Sequence, residues 1–177
     1  MRHDRGFTLI ELLIVVAIIG VIAAVALPGL LRSKQSANEA SAVESMRAID
    51  SAQAVYAASC GNGFFSPSLS NLGTPAGGPS GTPFISADMS AANTVVKTGY
   101  TVTMASSGGA VAGAPASCNG LAAGAVVSGY YGTATPLATA GVKSFGVNTY
   151  HTIYQAVQAT ALSMIDTTAP AGAIPIQ

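Results

Sequence analysis

The feature that most constrains the fold of this chain is an apolar run near its N-terminus. Residues 7–31 contain one charged side chain, Glu11, among residues that are almost all apolar. About 20 apolar residues in a helix span a bilayer, so the run is long enough to cross a membrane. A carboxylate at the centre of such a span costs roughly 2.5–3.5 kcal/mol, so Glu11 is expected to have a functional partner.

The residues that surround Glu11 form a recognisable motif. A short leader with two arginines, MRHDRG, precedes the sequence FTLIE, in which the acid stands four residues after phenylalanine. This arrangement resembles the processing site of the type IV pilin and pseudopilin family. The resemblance implies that a prepilin peptidase cuts between Gly6 and Phe7, which makes residues 1–6 a leader peptide. It also implies that Phe7, the new N-terminal residue, is N-methylated.

The orientation of the run in a membrane is predicted from its flanking charges. Arg2 and Arg5 favour a cytoplasmic N-terminus, which would place the chain beyond Leu31 in the periplasm. An ordinary secretory signal has a shorter apolar core and is cleaved after small residues. The patch Ala23–Ala26 leaves such cleavage open as an alternative. We therefore expect a single-pass precursor in the inner membrane, and later an extracellular pilus or a periplasmic pseudopilus.

Glu11 is the residue for which the resemblance implies a role in assembly. Its carboxylate would pair with the α-amino group of Phe7 in a neighbouring subunit, because each charge is costly alone in an apolar bundle. Two alternatives remain: a pair within one subunit, and an acid that is merely tolerated near the membrane edge.

Gly20 and Pro28 interrupt the helical pattern of residues 7–31. Pro28 removes the hydrogen bond to the carbonyl of Ala24 and clashes with that turn, which predicts that the helix ends or kinks there. Gly20 also weakens a helix. The resemblance to pilins implies that the helix between these residues can unwind locally in the filament, and a simple kink is the alternative.

Residues 32–59 follow a different pattern, typical of an amphipathic helix. One face collects residues at three- and four-residue steps, which predicts that it packs on a C-terminal domain: Ala42, Met46, Ile49, Gln53 and Tyr56. The sequence Gly61-Asn62-Gly63 predicts that the helix ends just before it.

The remaining chain predicts a connecting region and a β domain. Residues 60–97 are rich in proline, glycine and serine and are expected to form a loop region, with helical turns near 68–72 and 86–92. Residues 98–177 are expected to form the β domain, with strands over 98–104, 125–135, 141–147 and 152–157. Residues 159–165 could form a further strand or helical turn, and 167–177 an irregular tail. The predicted fold is α+β, with a long N-terminal helix packed on an antiparallel sheet of about four strands.

The chain contains two cysteines, Cys60 and Cys118. Outside the cytoplasm an even number favours a disulfide, which would tie the end of the helix to a loop of the β domain. Two free thiols are the alternative.

Ionisable residues are too sparse to indicate an enzyme. His3 lies in the leader, His151 has no second histidine in the mature chain, and Asp88 and Asp166 stand apart, so paired-carboxylate catalysis is unsupported. We predict no catalytic residue, no cofactor and no metal site. The calcium site that the resemblance to secretion pseudopilins would imply needs more acidic ligands than this chain offers.

The charge of the chain also limits its partners. Seven basic and seven acidic residues give a formal net charge of zero, so no nucleic acid is expected to bind. The predicted partners are other copies of the chain, the prepilin peptidase, the inner-membrane assembly machinery and, before assembly, membrane lipid.

The expected function is that of a structural subunit in a type IV pilus-like filament. One alternative is a pseudopilin of a type II secretion system. Another is a minor pilin or adhesin of a DNA-uptake or adhesion pilus, for which Tyr130, Tyr131 and Lys143 are the only candidate ligand-binding residues. A membrane-anchored enzyme is a third.

Overall fold

The computed structural model describes residues 6–78, 80–164 and 169–176. Helix α1, Leu9–Ser59, contains 51 residues and is therefore about 77 Å long at 1.5 Å per residue. It runs through Gly20 and Pro28 without interruption. The prediction that Pro28 could end the helix is wrong, because helix propagation is cooperative and strong helix formers on both sides of Pro28 outweigh the loss of one hydrogen bond.

Two short helices and six strands follow α1. Helices α2, Leu69–Leu72, and α3, Ala87–Ser90, lie in the segment predicted to be a loop region with two helical turns. The strands are β1 (Thr94–Lys97), β2 (Tyr100–Ser106), β3 (Tyr130–Pro136), β4 (Ser144–Asn148), β5 (Ile153–Ala156) and β6 (Ile174–Pro175). They form one sheet in sequence order, and every neighbouring pair is antiparallel.

The sheet has six strands and not the four that were predicted. The four predicted strands correspond to β2, β3, β4 and β5. Strand β1 lies in the segment that was expected to be a loop, and β6 lies in the predicted irregular tail. Both additional strands are short edge strands that pair with only one neighbour. Strand β1 contains three β-branched residues in a row, TVV, whereas β6 has only two residues.

The core forms where the second half of α1 packs on one face of the sheet. Seven residues of α1 are buried, and they include all five of the predicted face: Ala42, Ser45, Met46, Ile49, Ala52, Gln53 and Tyr56. Opposite them lie buried residues of the strands, among them Val102, Phe145 and Val147. Gly132 of β3 allows the helix to come close, since a Cβ there would lie 3.3 Å from Ile49.

The outer face of the sheet is partly covered by the C-terminal segment. Leu162 and Met164 are buried against Ala156, with Tyr131 and Tyr154 packed beside them. The described part of 159–165 is neither helix nor strand, so both predicted alternatives for it are wrong. Residues 1–5 of the predicted leader and Asp166 lie outside the described residues.

Candidate assembly helix

The first half of α1 contributes no buried residue to the described part of the structure. Every residue from Gly6 to Lys34 is exposed, and the helix is long and apolar enough to cross a membrane. Monomeric soluble proteins rarely expose an apolar patch larger than a few hundred Å². The helix surface around residues 9–31 therefore needs either lipid or other helices around it.

Glu11 is held by the first turn of α1 in the isolated chain. The backbone N–H and the hydroxyl of Thr8 donate to the same carboxylate oxygen of Glu11, at 2.9 and 2.7 Å. The backbone N–H of Glu11 donates in return to the Thr8 hydroxyl, at 3.3 Å. This is a capping box, in which two backbone donors at the helix start are satisfied reciprocally. Within the described residues the other carboxylate oxygen, Oε1, accepts no hydrogen bond.

The capping role of Thr8 is a contact that the sequence analysis missed. The spacing of a threonine and a glutamate three residues apart at the start of an apolar helix is the usual signature of a capping box. The signal was therefore present in the sequence beside the processing motif.

Gly20 and Pro28 lie on the exposed half of α1. Apart from the neighbouring residues and the backbone of the same helical turns, no described residue comes within 4 Å of the position that a Cβ on Gly20 would occupy. Packing inside the chain therefore does not require a glycine there. The role of Gly20 and Pro28 in a kink or in local unwinding remains a prediction.

The second half of α1 makes polar contacts with the β domain at two positions along the helix. Near residues 35–39, Gln35, Asn38 and Glu39 bind the loop that joins β3 to β4. Further along the helix, Asp50 accepts hydrogen bonds from Tyr130, at 2.7 Å, and contacts Nδ1 of His151, also at 2.7 Å. The contact between His151 and Asp50 was not predicted, because the two residues are 101 positions apart in sequence.

The disulfide joins the end of α1 to the long connection between β2 and β3. Cys60 and Cys118 are bonded to each other, with their Cα atoms 4.8 Å apart, in agreement with the predicted bridge. Cys60 is buried and caps α1, whereas Cys118 is exposed. The backbone N–H of Cys118 also donates to the carbonyl of Cys60, at 3.2 Å.

Two of the three residues considered as ligand-binding candidates, Tyr130 and Lys143, make contacts within the fold, and ligand binding by the three stays a prediction. Tyr130 is fully buried, and Lys143 lies 3.6 Å from the carboxylate of Glu39. Lys97 lies 2.7 Å from Asp88, and this contact lowers the pKa of the Asp88 carboxyl from its ordinary value. Asp88, which stands apart from other acids in the sequence, is therefore paired with a cation in the fold.

A cleft beside the second half of α1 offers no chemistry of its own. It has a volume of about 660 Å³ and lies between α1 and the segment 82–86. Its lining contains no ionisable side chain. Within residues 6–78, 80–164 and 169–176, no three histidine, cysteine, aspartate or glutamate residues come together as metal ligands would.

Comparison with known proteins identifies the N-terminal segment. Residues 1–27 match the family model described as the prokaryotic N-terminal methylation motif. The N-terminal segment is therefore similar to that of type IV pilins and of secretion-system core protein G. The predicted resemblance is thereby confirmed.

Individual relatives share the same segment. The chain is 59% identical over 39 residues to the type IV wide pilus major component PilA4 of Thermus thermophilus, and 46% identical over 51 residues to the type IV major pilin protein PilA of Myxococcus xanthus. It is 38% identical over 55 residues to the type II secretion system core protein G of Dickeya chrysanthemi. These matches cover 22%, 29% and 31% of this chain and 30%, 23% and 36% of the relatives. No solved structure matches the chain significantly.

Because the chain matches well under half of each relative, the comparisons concern the helix and not the β domain. The relatives are components of pili or of a secretion system, and not enzymes.

Proposed function

We propose that the chain is a structural subunit of a type IV pilus-like filament, polymerised through α1. The observation that supports this most directly is the division of the helix. Its first half is apolar and exposed on all sides, whereas its second half is buried along one stripe against the sheet. The first half can therefore exchange a lipid environment for a bundle of identical helices while the folded β domain stays unchanged.

The proposal includes processing of the N-terminus. A prepilin peptidase cuts between Gly6 and Phe7, and Phe7 is then methylated on its α-amino group. Gly6 lies before the start of α1 and is exposed, as a scissile site must be. The match of residues 1–27 to the methylation motif supports this step.

Glu11 then guides assembly. Its carboxylate pairs with the α-amino group of Phe7 of a neighbouring subunit, so that each charge offsets the cost of burying the other. In the isolated chain Thr8 occupies one carboxylate oxygen and leaves Oε1 available. The carboxylate is thus partly satisfied in the membrane and still able to accept a neighbour.

The orientation in the membrane is part of the proposal. Two basic residues precede the apolar run and two, Arg32 and Lys34, follow it, so the positive-inside bias alone is balanced. The proposed cytoplasmic N-terminus is instead supported by the processing motif in the leader. The β domain is then periplasmic before assembly.

We favour a pilus over a secretion pseudopilus, and we retain the pseudopilin as the second candidate. The pilus is supported by the two pilin relatives and by the scarcity of acidic residues for a calcium site. The pseudopilin is supported by the match to core protein G. Electron microscopy of sheared cell-surface fractions separates the two, because only the pilus yields long surface filaments in cells with normal expression.

Two experiments test the proposal. Mass spectrometry of the mature protein should give a mass that begins at an N-methylated Phe7. An intact leader, or cleavage near Ala26, would contradict the proposed processing.

The second experiment tests Glu11. The Glu11→Ala variant should insert in the membrane and fail to form filaments. The matched control is Glu44→Ala, which removes an exposed acid from the second half of the same helix and should leave assembly intact. Normal filaments from Glu11→Ala would remove this residue from the mechanism.

A further inference from the structure

The loop between β3 and β4 is fastened to α1 close to the end of the apolar run. The side-chain amide of Gln35 donates to the carbonyl of Thr139, at 3.1 Å, and that of Asn38 donates to the carbonyl of Ala140, at 2.9 Å. Because Gln35 stands four residues after Leu31, this contact begins about 6 Å along the helix from the last apolar residue. The β domain therefore starts at the edge of the membrane span.

A cleft lies at this junction, and its lining combines apolar and cationic side chains. It has a volume of about 300 Å³ and is lined by Leu31 and Lys34 of α1 and by Leu137 of the loop, among others. Leu137 is 45% exposed, although its backbone N–H is bound to the carbonyl of Gly99 at 2.8 Å. The exposed side chain of Leu137 is therefore fixed in position by an ordered loop.

The charges at the junction are of one sign. Arg32 and Lys34 are exposed, and in the described part of the chain no carboxylate forms a salt bridge with either. Glu39, the next acid along α1, is engaged by Lys143 and by the backbone N–H of Val142. Leu31, Lys34 and Leu137 line the cleft, and exposed Arg32 follows Leu31 in the same turn of α1. These four residues are here called the junction surface, which presents two cations and two leucines.

We propose that the junction surface binds the headgroups of anionic phospholipids in the membrane that α1 crosses. Lys34 and Arg32 contact the phosphates, and Leu31 and Leu137 lie against the glycerol and the upper part of the acyl chains. This inference rests on the membrane stage of the proposed function and is independent of polymerisation. Lipid binding at the junction surface gives the β domain a fixed orientation relative to the bilayer before assembly.

The length of the span supports this placement. Residues 9–31 form about 34 Å of helix, whereas the hydrocarbon core is about 30 Å thick and the whole bilayer about 40–45 Å. If the span is centred, Leu31 lies at the boundary of the core and Lys34 among the headgroups. Basic residues that flank a span are attracted to anionic lipid, and long basic side chains reach towards the headgroups while their stems stay on apolar surface.

A single tryptophan can report the position of the loop, because the chain has none. We place the full-length Leu137→Trp variant in nanodiscs of phosphatidylethanolamine and phosphatidylglycerol. A small fraction of the lipid carries a nitroxide near the top of one acyl chain. The indole should be strongly quenched. The matched control is Tyr150→Trp, at a position that is 64% exposed. The neighbouring residue, His151, contacts α1 about 16 Å further from the membrane than Glu39 does. The indole of this control variant should not be quenched.

The charge requirement is tested with labelled lipids of two kinds. In mixed nanodiscs, labelled phosphatidylglycerol should quench Leu137→Trp more than labelled phosphatidylcholine does. Since each basic residue near a surface contributes about 1 kcal/mol, Arg32→Gln and Lys34→Gln should each lower this preference by about fivefold. Arg47→Gln, three turns or more beyond the junction, is the control and should leave the preference unchanged.

Three results would overturn the inference. In the first, Ile19→Trp in the middle of the span is strongly quenched and Leu137→Trp is not. This would show that α1 is inserted in the membrane and that the junction surface does not contact lipid. If neither variant is quenched, the membrane anchor itself fails. Indole fluorescence that depends on the number of chains per nanodisc and is equal for both lipids would show that a second copy occupies the surface.

Discussion

Loss of the disulfide should destabilise the β domain by several kcal/mol. The bond joins residues 58 positions apart, and the chain-entropy model gives about 4 kcal/mol for closing a loop of that length. Single domains are commonly stable by only about 5–15 kcal/mol. The double variant Cys60→Ala/Cys118→Ala should therefore lose a large part of its stability.

Guanidinium unfolding of the full-length protein in detergent measures this loss. Near-ultraviolet circular dichroism follows the unfolding of the domain, because Tyr56, Tyr100 and Tyr130 are fully buried and the chain has no tryptophan. Dithiothreitol should shift the wild-type midpoint to that of the double variant, since Cys118 is exposed to the reductant. The same reagent should leave the double variant unchanged, which makes it the control.

A loss below about 1 kcal/mol would refute this reasoning. It would mean that the unfolded chain retains structure that keeps the two cysteines close together, so that the bridge removes little entropy from it.

Three further predictions concern the packing of α1 on the sheet and the buried tyrosines. Ile49→Ala should cost about 2–5 kcal/mol in guanidinium unfolding, because Ile49 is fully buried and the substitution leaves a cavity; a cost below 1 kcal/mol would contradict the assigned core. Asp50→Ala should lower the free energy of unfolding by about 1–3 kcal/mol, because it removes the acceptor of Tyr130 and the partner of His151. Asp50→Asn keeps an oxygen at this position and should lower it less. Equal losses would show that the shared acceptor is unimportant. Burial, with a smaller effect of a nearby carboxylate, raises the pKa of Tyr100 to about 12. Tyr100 therefore stabilises the fold fully below about pH 10, the ordinary tyrosine pKa, and this stabilisation is lost as the pH rises through 12. Tyr100→Phe should flatten the fall in thermal stability between pH 9 and 12, and an unchanged slope would contradict this.

The amphipathic half of α1 could be predicted from the sequence because its signal is periodic. All five residues of the predicted face are buried, and periodicity fixes a face without knowledge of what packs against it. Four central strands were found for a similar reason, since each has several β-branched or aromatic residues. Edge strand β6 has only two residues, and tertiary pairing decides so short a strand. Edge strand β1 was missed although its β-branched residues Thr94, Val95 and Val96 favour a strand.

The contacts that position the β domain on α1 could not be predicted from local spacing. His151 and Asp50 are 101 residues apart, and Asn38 and Ala140 are 102 apart. No periodic pattern links residues at such a separation, so only the folded topology brings them together. The continuity of α1 through Pro28 is a second case, because the local cost of proline was judged correctly and the cooperativity of the helix around it was not.

The arrangement of contacts along α1 separates stability from assembly. All seven buried residues of the helix lie between Ala42 and Tyr56, so the contribution of α1 to the stability of the domain comes from its second half. The first half contributes no buried side chain to the domain, and its apolar surface is left for lipid or for other helices. Because Gln35 and Asn38 fasten the loop between β3 and β4 at the boundary of the two halves, the β domain ends where the free helix surface begins. A subunit built this way can leave the membrane and join a filament without unfolding.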